Sequence, residues 1–328
     1  MPGLGFKSYA QIGKETVYGT GVNAAKKFEI ISFNVQPVIG VIQDNSLNNA
    51  PSRRGIYEGG KIYRGSFVTR LNYEGLEELF RAVMGGAGYT FGSSTHTYIE
   101  AADLFFYTME VVIGDVPTAK CFDLYGVKFT GVTIRGTAGQ GADAMVTAEW
   151  SIIAKDMVSD QTPTSLGAFP AVYPVIYHSW ASGSAVVDDG TADAAGSVRV
   201  RSFEVTIENP HADDRFYVSS MNIDEPLRND FLSVKWRLTQ EFTTKTQFDL
   251  ARTWAAAASE PSPRLKFISQ GGTARTFDIE SRATQITEFS APVEGYGVVM
   301  STVTYEAFYS AAILSTVKII LVNTVGTL

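Results

Sequence analysis

The sequence predicts an all-β protein of two tandem β units with one short helix in each. Three observations carry this. Apolar/polar alternation recurs along the 328 residues, helical periodicity occurs in only two places, and the order of elements around the first helix returns around the second. The aromatic content, 20 Phe, 15 Tyr and 4 Trp, points the same way, because aromatic side chains suit a pleated, half-buried surface.

Residues 1–27 read as an N-terminal arm that lacks the apolar run of a secretory signal. The first unit, 28–157, opens with a strand at Phe28–Val35, a long polar loop at Gln43–Gly60 and a strand at Lys61–Leu71. Leu76, Leu79, Phe80 and Val83 then share one helical stripe, stopped by Gly85-Gly86. Strands follow near Phe105–Ile113, Lys120–Arg135 and Ala144–Ala154. The last sets Val146, Ala148, Trp150 and Ile152 against Thr147, Glu149 and Ser151. The linker, 158–197, is rich in Pro, Gly, Ser and Asp, with one strand near Val172–Trp180.

The second unit, 198–310, repeats the order. A strand at Val200–Glu208 precedes a polar loop at Pro210–Asp230 and a strand at Phe231–Phe242. A helix follows with Phe248, Leu250 and Trp254 on its stripe, then strands near Arg264–Ser269, Arg275–Phe289 and Gly297–Tyr309. Ser202-Phe203 echoes Ser32-Phe33, Thr276-Phe-Asp-Ile279 echoes Cys121-Phe-Asp-Leu124, and Val303-Thr-Tyr-Glu306 echoes Val146-Thr-Ala-Glu149. Residues 311–328 form a C-terminal strand or arm. Ala311–Asn323 is shorter than the ~20 residues of a spanning helix and contains Lys318, so no membrane anchor is expected.

A hydrophobic fraction of 45% supplies a sizeable core, and a net charge of −7 argues against a chain that grips nucleic acid. The single cysteine, Cys121, cannot close an internal disulfide and reads as a small core filler in a reducing compartment. A search for catalytic or cofactor chemistry finds little. His96, His178 and His211 are scattered without metal-ligand spacing. The glycines of 85–92 lack the Lys-Ser/Thr of a phosphate loop and follow a helix, so they read as a helix stop and turn. Val187-Asp-Asp-Gly190 and Asp213-Asp214 read as turns, since neither continues as a calcium loop. No enzyme, metal or cofactor is expected.

Several segments in fixed order resemble a known family. They are Ile12-Gly-Lys-Glu-Thr-Val-Tyr-Gly-Thr20, Ser52-Arg-Arg54, Gly65-Ser-Phe-Val68, Gly75-Leu-Glu-Glu-Leu-Phe-Arg-Ala-Val-Met-Gly85, Tyr125-Gly-Val-Lys-Phe129 and Val200–Asn209. The chain resembles the tail tube proteins of long-tailed bacteriophages, in the group with a tandem-duplicated tube domain. Tyr89–Ala102 and Ala311–Leu328 depart from that pattern. The resemblance implies two tandem tail-tube-like β-sandwich or barrel domains, each flanked by one helix, that join side by side into rings, trimeric and pseudo-hexameric for a duplicated chain, stacked into a conduit for double-stranded DNA. It implies a virion location after assembly in the host cytoplasm. The implied partners are further copies of the chain and the tape-measure, tail terminator and baseplate or distal tail proteins, with DNA passing unbound.

Under that resemblance Glu149 and Glu306, with Thr147 and Thr304, are candidates to face the channel, the two glutamates as equivalent carboxylates at one level; a solvated outer face is the alternative, since strand parity fixes which face is polar but not what it meets. The two long loops, with Arg53 and Arg54 in one and Asp213, Asp214 and Arg228 in the other, are expected to contact the neighbouring ring. Two other readings stay open. One is a different virion β-protein: a tail terminator, a baseplate component or a capsid-decorating protein. The other is a carbohydrate-binding β-sandwich using Trp180, Trp236 and tyrosines, although alternation puts Trp236 on the core face.

Overall fold

The computed structural model describes residues 7–45, 52, 55–114, 120–141, 144–164, 169–170, 173–176, 186–188, 200–243, 245–253, 261–269, 275–293 and 295–326. It is an all-β sandwich-like structure with two short helices. Its strands in the first unit are β1 (Tyr9–Lys14), β2 (Lys26–Phe28), β3 (Ser32–Gln43), β4 (Ile56–Arg70), β5 (Tyr89–Gly92), β6 (Thr95–Ile99), β7 (Tyr107–Ile113), β8 (Lys120–Thr137), β9 (Thr147–Ala154) and β10 (Asp156–Gln161). The rest are β11 (Val186–Asp188), β12 (Val200–Glu208), β13 (Ser233–Glu241), β14 (Ser262–Ile268), β15 (Thr276–Glu280), β16 (Thr284–Ser290), β17 (Met300–Ala307) and β18 (Lys318–Val322). The helices are α1 (Glu77–Met84) and α2 (Thr246–Thr253).

The alternating strands assemble into one continuous antiparallel run, β3–β4–β9–β8–β12–β13–β17–β16. Its first four strands come from the first unit and its last four from the second, joined where β8 pairs with β12. One face of this run is apolar and buried: Phe67, Trp150, Val132, Ile134, Val205, Trp236, Leu238 and Val303. The opposite face carries the intervening polar residues, as period-two alternation dictates. A second layer covers the apolar face. It comprises β2–β1–β7 continuing into the N-terminal part of β8, and a six-stranded sheet, β11–β14–β15–β18–β6–β5. Both units contribute to a single core.

Several features were not expected from the sequence. The arm residues Tyr9–Lys14 are a strand paired with β7 along its length. The motif at Ile12–Thr20 is explained by Glu15, which is buried and accepts hydrogen bonds from Gly19 N, Thr108 Oγ1 and Gly126 N at 2.8–2.9 Å. Gly126 has φ +62, a conformation that favours glycine. The Tyr89–Ala102 insertion is the hairpin β5–β6, and the C-terminal segment supplies the strand expected there, β18, whose new feature is its pairing with β6 on one side and β15 on the other. Two departures from the family pattern therefore form one seam between the units. In the linker, β10 runs to Gln161, and Pro174 and Ile176 make only isolated bridges. His178, Trp180 and Trp254 lie outside the described residues.

Helix α1 follows the sequence. Its acidic first turn, Glu77 and Glu78, sits at the positive end of the helix dipole, and Gly85 (φ 97) closes it with its N–H on the Arg81 carbonyl. Phe80 lies between the layers, 5.2 Å from the Trp150 ring and 5.8 Å from Phe277 of the second unit.

Candidate functional site

The two four-strand sets match in more than order. In the first, β9 pairs with β8 with a register shift between Phe129 and Gly131; in the second, β17 pairs with β16 with a shift between Ile286 and Glu288. Superposing these bulges aligns Ile152 with Tyr305. The pairing of β4 and β13 then aligns Val35 with Val205 and Phe33 with Phe203. The Ser-Phe echo seen in the sequence agrees with this.

The glutamate echo does not. The same registers align Trp150 with Val303 and Glu149 with Thr302, so Glu306 corresponds to Ile153. Glu149 and Glu306 share the polar face, together with Thr147 and Thr304, but they are not equivalent positions. A four-residue slip keeps every side chain on its own face, so alternation alone cannot detect it. Going straight across the ladder from Glu149 leads through Thr133, Thr206 and Lys235 to Glu306. Matching positions are thus displaced by four residues over four strands. With about 3.3 Å per residue and 4.8 Å between strands, an assembly that repeated this displacement would have strands inclined by about 35° to its axis.

The polar face is charged in both signs. Arg135 donates from Nε to Glu204 at 2.6 Å and from an Nη to Glu149 at 2.8 Å, and Ser66 Oγ donates to Glu149 at 3.0 Å. These two carboxylates raise the Arg135 pKa further, the Glu204 hydrogen bond most. Arg237 lies directly across from Glu204, and Thr304 Oγ1 donates to Glu288 at 3.3 Å. The sequence reading named Glu149 but not its cationic partner, because Arg135 is separated from Glu204 and Glu149 by 69 and 14 residues.

The outer strands of the run, β3 and β16, have no partner on their far sides among the described residues. Apolar side chains cluster there in solvent. Ile39, Val41, Ile42, Ile56 and Tyr57 are exposed where the β3–β4 hairpin extends beyond the sheet, and Val293, Tyr296 and Val298 are exposed beyond β16. The Gln43–Gly60 loop expected from the sequence is shorter, since β3 reaches Gln43 and β4 begins at Ile56. Arg53 and Arg54 lie outside the described residues.

The second long loop is folded back on the first unit. Asp213 pairs with Arg64 at 2.9 Å, Glu225 with the buried Lys128 at 2.6 Å, and Ile223 packs with Ile62 and Ile153. Arg228 donates to Asn209 Oδ1 at 2.8 Å. Asp213 and Arg228 thus also make contacts within the chain. Asp214 and the tip Tyr217-Val218 stay exposed. A buried imidazole, His211, has its Nδ1 on the Asn209 carbonyl at 2.7 Å, and burial pushes its pKa down to about 4.

Cys121 is buried, as expected, and burial pushes its thiol pKa up. No helix among the described residues is long and apolar enough to cross a membrane. Trp236 is fully buried and donates from Nε1 to Ser281 Oγ at 3.0 Å, which removes it from any stacking platform.

The family model described as phage tail tube protein matches residues 5–307. A comparison with curated proteins finds no match.

Proposed function

The chain belongs to the phage tail tube protein family, and on that premise we propose that it builds the channel wall by repeating between chains the contact it already makes within itself. The family makes it a structural component of the virion tail that assembles into a tube with other tail proteins. The observation that carries the finer reading is the open eight-strand run. Its unpaired ends, β3 and β16, match the two strands, β12 and β8, that are paired in the middle. Placing β16 of one chain beside β3 of the next in the β8–β12 register sets Ser290 opposite Gln36, as Thr133 is opposite Thr206. Such head-to-tail contacts close into a ring, and closure removes the open edges.

Three chains supply twenty-four strands to that ring. At 4.8 Å between strands slanted by about 35°, opposite backbones stand about 45 Å apart, a passage of the size a DNA duplex needs. The polar face lines this passage and the second layer forms the outer wall. The extended β3–β4 hairpin, whose connecting residues include Arg53 and Arg54, reaches the next ring. The tube is assembled in the host cytoplasm, with the tape-measure, terminator and baseplate or distal tail proteins as partners.

Introducing Gln36→Cys and Ser290→Cys into a Cys121→Ser background tests the ring. Mild oxidation of assembled protein is expected to give covalent dimers and trimers on a denaturing gel, with the series stopping at three chains. Assembled tubes in which the pair gives no intermolecular product would overturn the edge pairing. Separately, Arg53→Ala with Arg54→Ala should leave rings in electron micrographs but shorten the tubes, increasingly so at higher salt; tubes of unchanged length would remove the arginines from stacking.

A further inference from the structure

We propose that Glu149 and Glu204 are positioning residues that hold Arg135 away from nucleic-acid phosphate, so that the seam between the units carries a suppressed phosphate-binding site. The inference rests on the reading that the polar face lines the channel.

The geometry is specific. Arg135 lies on β8 and Glu204 directly across from it on β12, the strand pair that joins the two units. Glu149 approaches from β9 on the other side, itself fixed by Ser66. The guanidinium therefore makes charge-assisted hydrogen bonds in two directions along the sheet surface. It is half exposed, at 51% of its side chain, so a passing polyanion reaches it. Arginine is the side chain best shaped to hold a phosphate through paired N–H donors. Left alone, one such group in every chain would repeat down the bore as a ladder of sequence-independent contacts. With both carboxylates in place the group of three carries a net charge of −1, and two of its N–H donors, Nε and one Nη, are occupied. The cation still serves the sheet by neutralising the two glutamates that flank β8 on β9 and β12.

The chemistry separates two roles for the acidic residues. If they act only through overall negative charge, removing Arg135 takes back one of the two charge units gained, and affinity stays above that of the parent. If they act by occupying Arg135, its removal reverses the effect.

The test uses the full chain and a short mixed-sequence duplex DNA, with binding followed by fluorescence anisotropy over a salt series. The parent chain is expected to bind weakly. Glu149→Gln with Glu204→Gln, isosteric changes at partly exposed sites, should raise affinity at low salt at least tenfold. The dependence of log affinity on log salt should steepen by about 0.9 for each additional phosphate that the protein neutralises. Adding Arg135→Gln should return both values to those of the parent. An unchanged affinity in the double variant, or a rise that survives Arg135→Gln, overturns the proposal. Thr206→Cys in assembled tubes of the Cys121→Ser chain tests the underlying reading separately. A channel position reacts with a small maleimide and resists one coupled to a large polymer. Equal reaction with both removes the face from the channel, and with it the use proposed for the site, whatever the anisotropy gives.

Discussion

Helices α1 and α2 have the same length and follow corresponding strands, yet they sit in different surroundings. The apolar side of α1 is closed off: Leu79, Phe80 and Val83 are at most 1% exposed, covered by the sheet of their own unit and by β6 and β15 of the second layer. Helix α2 rests on β16, with Phe248 against Phe289 at 5.7 Å, and Phe248 remains 46% exposed. The first helix has a second-unit neighbour to cover it. The second helix stands beside the open end of the run, where the proposed ring would place another chain. Under that proposal the exposed apolar surface of the second unit is an interface to be filled on assembly, since large apolar patches on a lone chain usually have a partner.

The strongest way to break this comparison is to truncate each helix's aromatic anchor. Phe80→Ala is expected to destabilise the isolated chain by about 3–5 kcal/mol, as for a large aromatic side chain removed from a closed core. Phe248→Ala should change monomer stability by less than about 1 kcal/mol and instead lower tube yield. Urea denaturation and sedimentation of the two variants separate these outcomes; equal destabilisation would mean that α2 is already complete.

Acid sharpens the comparison at the loop that binds the units together. His211 has a folded pKa near 4 against an unfolded value of about 6.5, so its contribution is fully present above pH 6.5. It is lost as pH falls through the window down to about 4, where the unfolded chain takes up a proton that the folded chain resists. The full effect is about 3 kcal/mol. His211→Gln should flatten that part of the pH–stability curve relative to the parent. An unchanged difference between pH 7 and pH 4.5 would show that the ring is not held neutral.

Much of the framework is readable from the chain itself. The polar/apolar alternation of β9, β13 and β17 predicts their faces correctly, and the stripe of Leu76, Leu79, Phe80 and Val83 predicts the buried side of α1. What sequence pattern cannot supply is register. Glu149 and Glu306 look like counterparts because both follow Val-Thr-x, and only the bulges near Thr130 and Thr287 reveal the four-residue offset. The Arg135 network is hidden for a related reason: its members meet through strand pairing, within the first unit for Glu149 and between units for Glu204, which neighbouring residues do not encode. β1 is hard to see because its short run, Ala10 and Ile12 around Gln11, shows too little alternation to distinguish it from an arm. The Pro210–Asp230 loop looks free in the sequence because its polar residues find their partners on the other unit.

The slant of the strands has a mechanical consequence. In a closed wall of inclined, hydrogen-bonded strands, sliding neighbouring strands past each other changes height and circumference together. A wall of this kind behaves as a chiral spring: pulling or compressing it along the axis tends to rotate one end against the other. Stress arriving at one end of such an assembly is therefore carried along it as torsion as well as thrust.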